Sequence, residues 1–151
     1  MTNNPHFETA RSWKAARAML AFQPLVPKYT AGLRLQSIRI HVSDHKRREL
    51  PIDGRTLEAH YGSFVVSQAR KGEHEARRLA LAVSYGPVAC EARIAGHHAR
   101  LYELGPEPEP GDIDGRSLAV VTWHDGEMFY LVASGEWKSD ALVKVAMSLY
   151  V

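Results

Sequence analysis

Eight histidines, one cysteine and several close carboxylates are the side chains through which this chain could do chemistry, and their spacing restricts what that chemistry can be. His97 and His98 are the only adjacent histidines, but neighbours on a strand point to opposite faces and cannot readily share one ion. His41, His45 and His60 could meet only through tertiary structure, so the reading is of rim and surface histidines with no metal assigned. Asp112-Ile113-Asp114-Gly115 resembles part of a calcium loop. The pattern's first ligand position then falls on Pro110 and its twelfth, which needs Glu, on Val121, which excludes an EF-hand.

Nucleophilic and phosphate chemistry lack their usual devices. No Gly-x-x-x-x-Gly-Lys-Ser/Thr loop, Gly-x-Gly-x-x-Gly fingerprint or Gly-x-Ser-x-Gly elbow occurs. Cys90 alternates with an expected core face, where a thiol is usually inert. Asp112 and Asp114 sit in a Pro/Gly-rich loop with nothing to raise a carboxyl pKa, which general acid catalysis needs. No catalytic residue and no cofactor are therefore assigned. Lys46-Arg47-Arg48, Arg70-Lys71 and Arg77-Arg78 could touch phosphates if they shared a face, but they lack interleaved aromatics, and the expectation is solvated turns and no nucleic-acid partner.

The elements that must carry these residues follow from periodicity. Residues 8–21 place Trp13, Ala16 and Leu20 on one face of an N-terminal helix, which Pro24 and Pro27 end. A strand is expected over Leu33–Val42 with a bulge between Leu35 and Ile38, another over 57–68 bent at Gly62, and another over Leu79–Tyr85. Val88, Cys90, Ala92 and Ile94 alternate with Ala89, Glu91 and Arg93, so Cys90 is expected to point inward. A turn at Ala95-Gly96 sets Ala92 against Ala99, Cys90 against Leu101 and Glu91 against Arg100.

The acidic loop 105–115 separates this hairpin from a second one: Ser117–His124, an Asp125-Gly126 turn, then Glu127–Ala133. Val120, Thr122, Phe129 and Leu131 line one face of that hairpin, and Val121, Trp123, Met128 and Tyr130 the other, so it should be central or covered on both sides. Ser139 can cap a final helix whose stripe is Leu142, Val145, Ala146 and Leu149. The fold class is α+β: a single curved antiparallel sheet of about six or seven strands packed with N- and C-terminal helices, in one domain spanning 1–151.

Composition fits this reading. The 151 residues are 45% apolar and 24% charged, as in ordinary globular domains. The formal charge of +2 is uneven: residues 1–50 hold nine Lys/Arg and three Asp/Glu, residues 101–151 three and nine. A lone cysteine, no signal-like leader and no apolar run of membrane-spanning length lead to the expectation of a cytoplasmic protein without an integral membrane segment.

The C-terminal stretch SLAVVTWHDGEMFYLVASGEWKSDALVKVAMSLYV reads as a Thr-Trp strand, a tight turn, an aromatic strand and a helix ending Ala-x-Ser-Leu. It resembles an uncharacterised bacterial domain found at the C-terminus of envelope proteins linked to anti-sigma factors and sporulation, a fold distantly similar to lipoprotein-carrier and sigma-regulatory sensor proteins. PLVPKYTAGLRLQSIRI is similar to that family's Pro-x-x-Pro-x-Tyr…Gly-x-x-Leu segment. The resemblance spans residues 22–150 and carries over no catalytic residue. It implies an antiparallel half-barrel with a helix and a binding or sensing role, although this sequence lacks the family's usual transmembrane or signal segment.

Three functions follow as expectations. The first is a non-enzymatic binding or regulatory domain for a protein partner, contacted by the apolar sheet face or the acidic loop, with a homodimer as one form. The second is a carrier of a lipid or other apolar ligand, lined by Val121, Trp123, Met128 and Tyr130. The third is a small hydrolase built on a tertiary histidine and carboxylate cluster.

Overall fold

The computed structural model describes residues 7–20, 22–41, 55–70, 90–104, 118–135 and 139–151. Its elements are β1 (Phe7–Ala10), α1 (Trp13–Ala18), β2 (Ser37–His41), β3 (Thr56–His60), β4 (Val65–Arg70), β5 (Cys90–Ile94), β6 (His97–Leu104), β7 (Leu118–Asp125), β8 (Met128–Ser134) and α2 (Ser139–Ser148). The strands form one antiparallel sheet in the order β1-β2-β3-β4-β8-β7-β6-β5. β1 to β4 and β5 to β8 are therefore two meanders, joined where β4 pairs with β8. The α+β class stands, with eight strands in place of six or seven. The expected Leu79–Tyr85 strand, Val88, Ala89 and the acidic loop lie outside the described residues. No helix among the described residues is long and apolar enough to cross a membrane.

The extra strands have local causes. The N-terminal helix was expected to begin near residue 8, but residues 7–10 form β1, pairing Phe7 with His41 and Ala10 with Ile38. The ladder satisfies those backbone groups where a helix start would leave them open. The helix begins only after Ser12, whose hydroxyl accepts the Ala15 N–H at 3.1 Å as an N-cap. Its apolar face is as read: Ala16 and Leu20 are buried and Trp13 packs against the core.

The segment 57–68 is a hairpin, not one bent strand. The Tyr61 N–H bonds the Phe64 carbonyl at 2.9 Å, and Gly62 adopts φ +88°. A Cβ at Gly62 would come within 3.0 Å of Gln36 Nε2, so glycine suits this corner both conformationally and sterically.

β2 starts at Ser37 rather than Leu33, because a turn holds the preceding residues: the Leu33 N–H bonds Thr30 O at 3.0 Å, and Ala31 and Gly32 both have positive φ. The expected bulge is thus the approach to the strand. The first predicted hairpin keeps its register, Cys90 opposite Leu101, Glu91 opposite Arg100 and Ala92 opposite Ala99. Ala95 (φ +50°) and Gly96 (φ +85°) form its two-residue turn, as a primed turn requires. In the second hairpin the turn is Gly126-Glu127, one residue later than expected, with Asp125 paired to Met128. The side-chain faces keep their parity, and β7 and β8 are central.

One side of the sheet holds the main core, while Val120, Phe129 and Tyr102 are buried on the other. Ile38, Ala59, Val66, Val132, Val121 and Leu101 form one row across six strands, and Ile40, Leu57, Gln68, Tyr130, Trp123 and Ala99 the next. α2 covers the β7 end with Leu142, Val145, Ala146 and Leu149, all 2% exposed or less. A buried aliphatic side chain of this size contributes about 1.5–3 kcal/mol.

The proline-containing strap 22–36 also packs on this side, burying Phe22, Pro24 and Pro27 and packing Leu25, Leu33 and Leu35 against the core. Gln68, completely buried within an otherwise apolar row, fastens it. Its Oε1 accepts the Leu25 N–H at 2.8 Å and its Nε2 donates to the Leu25 carbonyl at 2.7 Å. The side-chain amide thus acts as a one-residue strand partner. A second tie runs from the Lys28 N–H to the Ser148 hydroxyl at 3.1 Å, while that hydroxyl donates to Val145 O.

Gln68→Leu keeps the volume but leaves both Leu25 backbone groups unpaired in an apolar setting, so urea denaturation should show a loss of about 2–4 kcal/mol. A loss below about 0.5 kcal/mol would mean that the strap is held by packing alone.

Candidate functional site

Three sets of side chains deserve consideration as sites, one on the core side of the sheet and two on its outward side. On the core side, the β7–β8 register brings Val121, Trp123, Met128 and Tyr130 together, with Trp123 opposite Tyr130 and Asp125 opposite Met128. Val121, Trp123 and Tyr130 are buried and Met128 is half-buried. Trp123 stacks on Tyr130 with centroids 5.3 Å apart.

The polar ends of these rings form a chain. Trp123 Nε1 donates to the Tyr150 hydroxyl at 2.9 Å, and that hydroxyl donates to Asp125 Oδ2 at 3.0 Å. His97 Nε2 lies 3.4 Å from the same carboxylate oxygen. Tyr150 thereby ties the segment just after α2 to the tip of the β7–β8 hairpin. Burial pushes the Tyr130 phenol up to about 12, with the Asp125 charge adding to it. Burial also raises Tyr150, opposed by the Trp123 N–H and reinforced by Asp125. Both phenols are neutral, and the Tyr150 O–H is a hydrogen-bond donor, not a base.

On the outward side, Glu58 sits between two imidazoles. Its Oε2 is 2.9 Å from His41 Nε2 and its Oε1 3.6 Å from His60 Nε2, with Arg39 directly opposite it on β2. Two of the three histidines that only tertiary structure could unite are thus brought to one carboxylate; His45 lies outside the described residues. Among the described residues no three His, Cys, Asp or Glu side chains are arranged to hold a metal ion. His97 and His98 diverge as adjacent strand residues must: His97 turns to Asp125, while His98 approaches Glu91 at 3.4 Å.

Cys90 corrects the sequence reading. The register does put it on the core side, opposite Leu101, but β5 is the last strand of the sheet and the thiol is exposed. β3 and β5 are five strand spacings apart, about 24 Å, so Cys90 cannot be activated by His41 or His60. Its S–H donates to the Glu91 carbonyl at 3.3 Å.

The third set is apolar and outward. The outward row crossing the middle of the sheet runs Arg39, Glu58, Ser67, Leu131, Thr122, Arg100, Glu91. Beside it runs Val65, Ala133, Val120 and Tyr102. Val65, Ser67, Leu131 and Ala133 are half-buried at its centre, whereas Arg39, Arg100 and Glu91 are exposed at its ends. The face of Val120, Thr122, Phe129 and Leu131 read from the sequence is therefore the outward one, and Val120, Thr122 and Phe129 are buried on it, so the hairpin is covered on both sides as expected.

The Glu58 cluster was missed because it needs the β2–β3 register; the only local signal was that Glu58 and His60, two apart, share a strand face. Of the basic groups, Arg70 ends β4, and residues 46–48, 71, 77 and 78 lie outside the described residues. Compared with protein-family models, curated proteins and solved structures, the chain matches none.

The raised phenols give a pH test. The fold holds Tyr130 neutral while an unfolded phenol ionises near 10. Between about pH 10 and 12 the unfolded chain therefore releases a proton that the folded chain keeps, and stability falls as pH rises through that window. Alkaline titration followed by phenolate absorbance should show late components for Tyr130 and Tyr150, the latter absent in Tyr150→Phe. Ionisation of all the tyrosines near the ordinary value in the folded state would contradict this placement.

Proposed function

We propose that the chain is a non-enzymatic binding or regulatory module that engages another protein through the outward face of its sheet. The observation that supports this reading is the outward lane of Val65, Leu131 and Ala133 at the sheet centre, with Arg39, Glu58, Arg100 and Glu91 at its ends. An antiparallel sheet with its core on one side commonly carries polar residues on the other. An apolar centre with a charged rim is the anatomy of a protein interface.

The polar clusters favour binding over turnover. The Tyr150–Asp125–His97 chain is engaged in fastening the C-terminal segment, and Glu58 lies between two imidazoles.

The test uses tagged protein expressed in its own host, wild type beside Leu131→Lys, with the captured proteins identified by mass spectrometry. A specific partner should be retained by the wild type and fall at least about tenfold with Leu131→Lys, an interface anchor being worth about 1–2 kcal/mol or more. Near-UV circular dichroism should be unchanged. Substrate turnover abolished by Glu58→Gln would overturn the reading.

A further inference from the structure

Beyond that face, the sheet of the described residues ends on an edge strand that carries both an acidic and a basic side chain. β5 ends the sheet, and among the described residues it pairs only with β6. Cys90, Glu91 and Arg93 are exposed, and the Glu91 side chain is 67% exposed. Ala92 is half-buried at the core margin and Ile94 fully buried.

The two-residue turn fixes which backbone groups face outward. Ile94 and His97 flank it, so their backbones bond each other as its first and last residues. Hydrogen-bonded pairs then alternate along the ladder, which turns the backbones of Ile94, Ala92 and Cys90 toward β6 and those of Glu91 and Arg93 toward the open edge. Consistent with this, the Glu91 carbonyl accepts the Cys90 thiol.

We propose that β5 is a self-association edge that pairs antiparallel with β5 of a second copy about a two-fold axis through Ala92. An antiparallel partner must set outward-facing backbones opposite each other, which permits two-fold registers centred on Glu91, Ala92 or Arg93. Centring on Glu91 opposes two carboxylates, and centring on Arg93 opposes two guanidinium groups. Only the Ala92 register sets Glu91 against the partner's Arg93, and does so twice by symmetry.

Four backbone hydrogen bonds and two ion pairs form in that arrangement, with Ala92 against the partner's Ala92. Glu91 and Arg93 now contact His98 (3.4 Å) and the Gly96 carbonyl (3.1 Å), both exposed interactions that exchange readily for cross-strand ones. The other edge, β1, has Glu8 as its one charge and offers no such complementarity. The interface is isologous, so it closes at two copies instead of propagating.

Sedimentation velocity between roughly 10 μM and 1 mM, the range for a small interface, reads the equilibrium. The wild type should dimerise, and Glu91→Arg or Arg93→Glu should each weaken the dimer at least about tenfold by opposing like charges. The combined Glu91→Arg/Arg93→Glu chain should recover it. Leu131→Lys should leave self-association intact, which separates this surface from the outward face.

Oxidation adds a geometric check. Ala92→Cys in a Cys90→Ser background should crosslink, because a non-hydrogen-bonded pair sets Cα atoms about 4.5 Å apart. The wild type should not, since Cys90 opposes the partner's Ile94. A wild-type monomer at the top of the concentration range, a dimer indifferent to Arg93→Glu, or a charge swap that fails to restore association would overturn the proposal.

Discussion

The two halves of the sheet are joined where β4 pairs with β8, and both core rows run through that ladder. Each meander can form from near neighbours in sequence, but neither places its apolar row against the other until Val66 meets Val132 and Gln68 meets Tyr130. That single non-local ladder, about sixty residues apart in sequence, makes the two core rows continuous from β2 to β6. A slip of β8 by one residue against β4 would set the outward Leu131 or Ala133 opposite Val66 and interrupt both core rows. Closing so long a loop carries the entropy cost that slows formation of non-local sheets.

Gln68 shows how a polar residue can be correct in an apolar row. Its amide reproduces the two hydrogen bonds of a strand neighbour for Leu25, so a strap interrupted by Pro24 and Pro27 can cross the core without leaving buried backbone groups open. The C-terminal segment is fixed by a similar device, Tyr150 satisfying Trp123 and meeting Asp125. Both ties commit the core side to holding the fold together.

Much of this was legible in the sequence where the signal was local. The Ala95-Gly96 hairpin register, the α2 stripe and the two faces of the β7–β8 hairpin follow from periods of 2 and 3.6 and from turn chemistry. The boundaries that failed were those decided by distant partners. Residues 7–10 joined β2 despite the helical pattern that follows them. Segment 57–68 became two strands because Gly62 supports a full reversal. The Gly126-Glu127 turn shifted by one residue while the side-chain parity survived, so the face assignments held. The Glu58 cluster and the Gln68 latch depend on cross-strand or strap contacts, and no linear spacing encodes those. Cys90 was assigned the correct side but the wrong exposure, because alternation does not reveal that a strand lies at the edge.

The core side is occupied by the domain's own helices and strap, so the proposed role rests on other surfaces of the sheet meeting a second protein. Native mass spectrometry on protein purified gently from its own host reads this out, and the expected result is non-covalent species made of the 16.9 kDa chain with a second copy or another protein. A chain carrying only a retained small molecule, or only the bare chain at every concentration, would contradict it.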